Sequence, residues 1–229
     1  VDEIYLICYN KINKNIIERR IKMEIKIFHL GAMYTNCYLA YDENNVAYFF
    51  DCGGKNLENL YSFIEEKKLN LKYIILTHGH GDHIEGLNKL TEHYPEAKVY
   101  VGEEEKDFLY NSELSLSDRI FGELFRYNGE LITVKEGDVV GDFKVIDTPG
   151  HTIGSKCFYD EKNNILISGD TMFRRSYGRY DLPTGDLNML YNSLEKLSKL
   201  PDETVVYSGH TEATTIGDER NFLKRIGII

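Results

Sequence analysis

A chain of 229 residues, 42% hydrophobic and 28% charged, is long enough to bury a substantial core, and none of its apolar runs approaches the roughly 20 residues needed to cross a bilayer. Its 27 basic and 37 acidic residues leave a formal net charge of -10, which repels nucleic-acid backbones and anionic lipids and argues against both as main partners. Cys8, Cys37, Cys52 and Cys157 stand far apart with no CxxC pair, so they read as reduced thiols of a cytoplasmic protein, not as a disulfide scaffold.

Residues 1–22, rich in Ile, Asn, Lys and Tyr, stand apart in composition and read as an N-terminal extension, with Met23 as the natural start. The apolar stretch at 4–9 is short for a signal-peptide core, and its basic residues follow it instead of preceding it. Residues 23–229 contain no repeat, low-complexity tract or linker and are expected to form one domain.

Strand patterns appear at 25–30, 37–40 and 47–51, followed by a helix in which Leu57, Leu60, Tyr61 and Ile64 recur at i, i+3, i+4 and i+7. An apolar run at 73–76, a helix at about 84–93 and a strand at 98–101 come next, and 103–127 reads as helical or irregular. Strands resume at 131–134, 142–147, 156–159 and 165–168, the last two joined by a turn containing Asn163 and Asn164. Leu187, Leu190, Leu194 and Leu197 mark another helix, 204–207 a final strand, and the chain from Thr215 onward is helical. Two strand-rich halves, each closing with a strand and a helix, predict two packed sheets with helices outside.

The run at 73–76 ends in Thr77-His78-Gly79-His80-Gly81-Asp82-His83. Three imidazoles and a carboxylate converging at a strand end, with glycines that let the loop fold tightly, constitute a metal-ligand set suited to zinc, iron or manganese. Further donors stand at other strand ends, each directly after a glycine: His151 in Thr148-Pro149-Gly150-His151-Thr152, Asp170 in Ser168-Gly169-Asp170-Thr171, and His210 in Ser208-Gly209-His210-Thr211. Singly, each would be an ordinary turn; four in one chain point to one centre.

This pattern resembles the metallo-β-lactamase superfamily, whose HxHxDH, His, Asp and His signature stands here as His78, His80, Asp82, His83, His151, Asp170 and His210. The resemblance covers nearly everything after Met23 and implies an α+β fold, an αββα four-layer sandwich with the site at the edge between its sheets. It further implies that His78, His80 and His151 hold one divalent ion, that Asp82, His83 and His210 hold the second, and that Asp170 bridges them. Zinc is the expected ion, with iron or manganese as alternatives. Asp82 is also expected to be catalytic, orienting the attacking hydroxide.

Within the superfamily, the segments 150–155, 168–173 and 178–186 look like the glyoxalase II-like hydrolases, and the ending 209–216 is similar to their short bacterial branch. That implies hydrolysis of a small anionic thioester of the hydroxyacylglutathione kind, with Arg179 and Tyr180 as substrate contacts. Two departures bear on the substrate: Asp181 stands where the longer enzymes have a substrate-binding tyrosine, and their glutathione-gripping helical extension has no counterpart in this sequence. The alternative from another class is a persulfide dioxygenase with one iron, which shares the ligand pattern. A third reading, an inactive metal-binding homologue, is disfavoured by the complete ligand set. Cys52 has no partnering base in the sequence and is expected to be a buried thiol; His29 and His93 fall outside the ligand pattern.

Overall fold

The computed structural model of the chain describes residues 22–229, so the expected extension at 1–22 lies outside the described residues apart from Lys22. One sheet takes its strands in chain order: β1 (Glu24–Leu30), β2 (Thr35–Tyr41), β3 (Val46–Phe50), β4 (Asn70–Ile75), β5 (Lys98–Gly102) and β6 (Leu131–Val134). The first three run antiparallel and the rest parallel. The second sheet has the order β14 (Thr214–Thr215), β13 (Val205–Ser208), β10 (Ile165–Gly169), β9 (Lys156–Asp160), β8 (Phe143–Asp147) and β7 (Val139–Val140), with β10 and β13 its parallel pair. A small hairpin, β11 (Met172–Phe173) and β12 (Ser176–Tyr177), follows β10.

The period of two along the strands produces the layers. Tyr38, Ala40, Tyr48 and Phe50 point between the sheets and meet Phe143, Phe158, Ile165 and Ile167 there. Cys37, Leu39, Ala47 and Phe49 point the other way, onto Leu57, Leu60 and Leu87. Their counterparts on the far side, Cys157, Tyr159 and Leu166, pack on Leu190, Leu194 and Leu223. With α1 (Glu58–Lys67) and α3 (Leu87–His93) outside one sheet and α6 (Leu187–Leu197) and α7 (Ile216–Arg225) outside the other, the order is αββα, in the α+β class. In the middle layer Phe50 lies edge-on to Phe143 at 4.9 Å between centroids, and each such ring stabilises the sandwich by about 1.5–3 kcal/mol through burial.

Sequence periodicity locates α1 and α6 well because each has one apolar stripe; α6 is also capped by Asp186, whose carboxylate accepts the Met189 N–H at 2.8 Å. The helix expected at 84–93 is instead two helices, α2 (Gly81–Ile84) and α3, separated at Glu85 and Gly86. Gly86 donates its N–H to Cys52 O at 2.8 Å, and a side chain there would overlap the Gly54 carbonyl, so the close approach to the 52–54 turn bends the chain. The stretch 103–127 holds a 3-10 helix (Glu103–Leu109), α4 (Ser112–Ser115) and α5 (Ser117–Phe121). Among the described residues, no helix is long and apolar enough to cross a membrane.

Candidate metal centre

The ends of β4, β8, β10 and β13 lie together at one edge of the sandwich, where the two sheets meet. The loop after β4 carries His78 and His80 and runs into α2, whose first turn presents Asp82 and His83. His151 follows β8, Asp170 follows β10 and His210 follows β13, so strands from both sheets aim their donors at one point. A cross-sheet hinge places the last of these: Asn36 of β2 donates its N–H to Gly209 O at 2.7 Å and its side-chain amide to Ser208 O at 3.0 Å, while the Tyr38 hydroxyl donates to the same Ser208 O at 2.6 Å.

The seven donors fall into overlapping sets whose ligand atoms lie within 4.8 Å of one another: His78, His80 and His151; His78, His83 and Asp170; and Asp82, His83 and His210. In the first set His151 Nε2 lies 2.9 Å from His80 Nδ1 and 3.2 Å from His78 Nε2. In the last, His210 Nε2 lies 3.1 Å from Asp82 Oδ2. Asp170 stands between them, its Oδ2 3.7 Å from His151 Nε2 and 3.4 Å from His210 Nε2, its Oδ1 3.5 Å from His83 Nε2.

These side chains suit divalent ions. His83 Nε2 and Asp170 Oδ1 are buried polar atoms with no hydrogen-bond partner, although buried polar groups are nearly always satisfied. Burial holds His78 and His151 below the usual imidazole range, and burial together with neighbouring His151 takes His80 down to about 3, leaving neutral rings with the lone pairs coordination requires. Burial would raise the carboxyls of Asp82 and Asp170, but the facing imidazoles of His83 and His210 outweigh it and hold both ionised. Burial likewise opposes a charge on His83, yet the carboxylates of Asp51, Asp170 and Asp82 raise its pKa, which marks a place where this fold calls for positive charge.

A second layer orients the rings. His83 Nδ1 lies 2.8 Å from Asp51 Oδ2, His78 Nδ1 3.1 Å from Thr77 Oγ1, and His151 Nδ1 2.7 Å from the Arg179 carbonyl, contacts that hold each ring with Nε2 turned inward. Asp51 is a residue that motif reading overlooks. It directly follows β3 in a left-handed conformation (φ 60°) with both oxygens engaged, and the sequence around it, Asp51-Cys52-Gly53-Gly54, draws attention to the thiol instead. Cys52 itself is fully buried with its pKa pushed up, chiefly by burial, so it is no nucleophile.

A cavity of about 330 Å³ opens on the centre, lined by His80, Asp82, His151, Asp170 and His210 below and by Met33, Leu116, Ile120, Phe173, Leu182 and Arg179 around them. Its walls are mostly apolar, as in small-molecule sites generally. Arg179 reaches this wall, but its guanidinium forms a two-pronged pair with Asp181, both bonds 2.9 Å. Tyr180 does not line the cavity and is 42% exposed.

The chain is similar to known proteins over most of its length. Over 209 residues the chain is 33% identical to a protein of Haemophilus influenzae named hydroxyacylglutathione hydrolase GloC, an alignment covering 86% of this chain and 95% of that one. Among solved structures, the BLEG-1 B3 metallo-β-lactamase superposes with a TM-score of 0.80 at 35% identity, covering 86% of this chain and 97% of the other. TTHA1623 in a di-iron-bound form gives 0.77 at 32% identity, covering 85% and 96%. The family model described as the metallo-β-lactamase superfamily matches residues 30–210, a span that opens at the end of β1 and closes on the last histidine of the centre. By sequence and fold alike, the chain belongs to the metallo-β-lactamase superfamily.

Proposed function

We propose that the chain hydrolyses small anionic thioesters of the hydroxyacylglutathione kind, using two divalent ions, with zinc the expected metal. The observation that carries this reading is Asp170, whose two oxygens face His151 of the first set and His83 and His210 of the last at the floor of the apolar cavity. The GloC name of a relative aligned over nearly its whole length supports the substrate class.

His78, His80 and His151 would hold one ion, Asp82, His83 and His210 the other, and Asp170 both. Bound there, the pair would supply Lewis-acid polarisation of a carbonyl oxygen and a lowered pKa for an attacking water. The chain's own groups do the rest. Asp82, at the cavity floor, orients the water and can take its proton. Met33, Leu116, Ile120, Phe173 and Leu182 exclude bulk water and receive the apolar part of the substrate. Water adds to the thioester carbon, the C–S bond breaks, and a carboxylic acid and a thiol result. A thiolate with a pKa of ~8.5 leaves without a protein acid to protonate it. Arg179 can exchange Asp181 for a substrate carboxylate, because an exposed pair is weakly held. The buried, unpaired thiols of Cys37, Cys52 and Cys157 support action in the reducing cytoplasm.

A second reading is favoured by His78, His83 and Asp170, a two-histidine, one-carboxylate set of the kind that binds a single iron in oxygenases. One assay series separates the two: S-lactoylglutathione and other thioesters are offered to protein whose zinc, iron and manganese have been quantified. Hydrolysis by the two-ion form is expected. No thioester turnover by fully metallated protein removes the proposal, and one iron per chain with oxygen uptake on glutathione persulfide establishes the dioxygenase.

A further inference from the structure

Glu105 is fully buried on the 3-10 helix after β5, outside every ligand set. Its two carboxylate oxygens are divided between two loops. Oε2 accepts the N–H of Gly79 at 2.7 Å, and Oε1 accepts the N–H of Gly154 at 2.9 Å. Gly79 separates His78 from His80, and Gly154 lies three residues past His151. The carboxylate therefore ties together the two segments that carry the first ion's three histidines.

We propose that Glu105 is a positioning residue that pre-assembles the His78, His80 and His151 site by clamping its two loops before any ion binds. The helix that carries it is well anchored: Phe108 and Leu109 belong to the core under the first sheet, and Leu109 O accepts the Tyr127 N–H at 2.9 Å. A parallel tie reinforces the clamp. Neighbouring Glu104 pairs with the buried Lys156 ammonium at 2.8 Å, and Lys156 donates its backbone N–H to Thr77 O at 2.9 Å, beside His78. Burying a carboxylate is costly and needs several charge-assisted bonds to offset it. Burial pushes the Glu105 carboxyl up to about 7, against the opposing pull of the Thr152 side chain, the two N–H donors and Lys156. A hydrophobic side chain would fill the same volume without that cost, so the two bonds to the ligand loops are the feature that only a carboxylate supplies. In the second set His210 stays 24% exposed, its loop placed by the Asn36 and Tyr38 bonds to Ser208 O.

The inference rests on the two-ion reading above but not on the choice of substrate, so it is tested by metal binding alone. Glu105→Gln keeps the shape but offers only one acceptor oxygen for two N–H donors. In a stepwise cobalt(II) titration of metal-free protein, it should lower the first-ion affinity by about 10- to 100-fold and alter the visible ligand-field bands of that site. Leu223→Ala, in the core beneath the second sheet, controls for a general loss of stability and should leave the first affinity at the wild-type value. Wild-type protein that fails to take up two ions would overturn the two-ion reading. Wild-type uptake of two ions, with Glu105→Gln matching its affinities, would overturn the clamp. Should the variant not fold, hydrogen exchange on metal-free wild-type protein decides. The Gly79 and Gly154 amides should be protected without metal, and exchange at unprotected rates would end the proposal.

Discussion

Asp51 and His83 form the closest carboxylate–imidazole contact in the centre, 2.8 Å from Oδ2 to Nδ1, with both side chains buried. The same carboxylate accepts the Thr77 N–H and the Thr77 hydroxyl, each at 2.8 Å, so one residue at the end of β3 orients both a ligand ring and the start of the ligand loop. Asp51→Asn retains an acceptor for Thr77 but removes the charge that makes His83 a better donor. The expected result is a loss of about 10- to 100-fold in second-ion affinity, with turnover falling in step. Calorimetric metal titration checks this, and a variant that binds both ions as tightly as wild type would show that the contact is only structural.

Asp170 faces His151 of the first set and His210 of the last, so its charge would offset repulsion between two dications. Asp170→Asn should lose metal content and turnover in parallel, to one ion or none per chain in place of two. Elemental analysis alongside the thioester assay measures both, and full occupancy with normal activity would contradict the bridging role.

How much of this was legible in the sequence depends on the range of the signal. His78, His80, Asp82 and His83 sit within six residues, and the glycine before each of His151, Asp170 and His210 marks a strand end, so local patterns sufficed to propose the donors. Glu105 and Asp51 act through contacts 26 and more residues away, with no spacing rule to reveal them. The short strands β7, β11, β12 and β14, two residues each, escaped for a related reason: they are too brief for an alternating pattern and exist because neighbouring strands pair with them. The split between α2 and α3 is likewise a tertiary effect, imposed where Gly86 meets Gly54.

Gly209 offers a test of space instead of charge. A side chain at this position would overlap Asp170 Oδ1 and stand 2.8 Å from His83 Cε1. Gly209→Ala should displace the shared carboxylate and the ring together. Second-ion binding is expected to weaken by at least an order of magnitude. Metal stoichiometry by elemental analysis is the readout, and an alanine variant with two tightly bound ions would mean that the β13 loop yields easily.

Cys157 is fully buried beside Thr148, and burial pushes its thiol up to about 11, against the weaker opposing effect of the Thr148 and Thr171 hydroxyls. An acid whose folded pKa is raised in this way favours folding while it is protonated. Its contribution is complete below the unfolded value of ~8.5 and is lost as pH rises from there through about 11. Stability measured by urea unfolding should therefore decline across this window, and Cys157→Ala should flatten part of the decline. At pH 8 a thiol reagent should leave Cys37, Cys52 and Cys157 unmodified in folded protein and label all three in denaturant; rapid labelling of Cys52 in the native state would contradict its buried assignment.

Arg179 bears on substrate choice because, among the described residues, it is the one arginine or lysine lining the cavity, and Asp181 already occupies its guanidinium with two 2.9 Å bonds. Both partners are exposed, so the pair contributes little to folding and its loss should scarcely move the melting temperature. For an anionic thioester, Arg179→Ala removes an attraction present equally in the bound substrate and the transition state, so the deficit should appear in KM rather than kcat, by severalfold. A neutral thioester of the same acyl group should be unaffected. Asp181→Asn should act in the opposite direction, lowering KM for the anionic substrate by freeing the guanidinium. Steady-state kinetics on the paired substrates, at low and high salt, decide the matter: screening should shrink the Arg179→Ala effect. An equal KM rise for charged and neutral thioesters would mean that Arg179 shapes the cavity wall and does not read substrate charge.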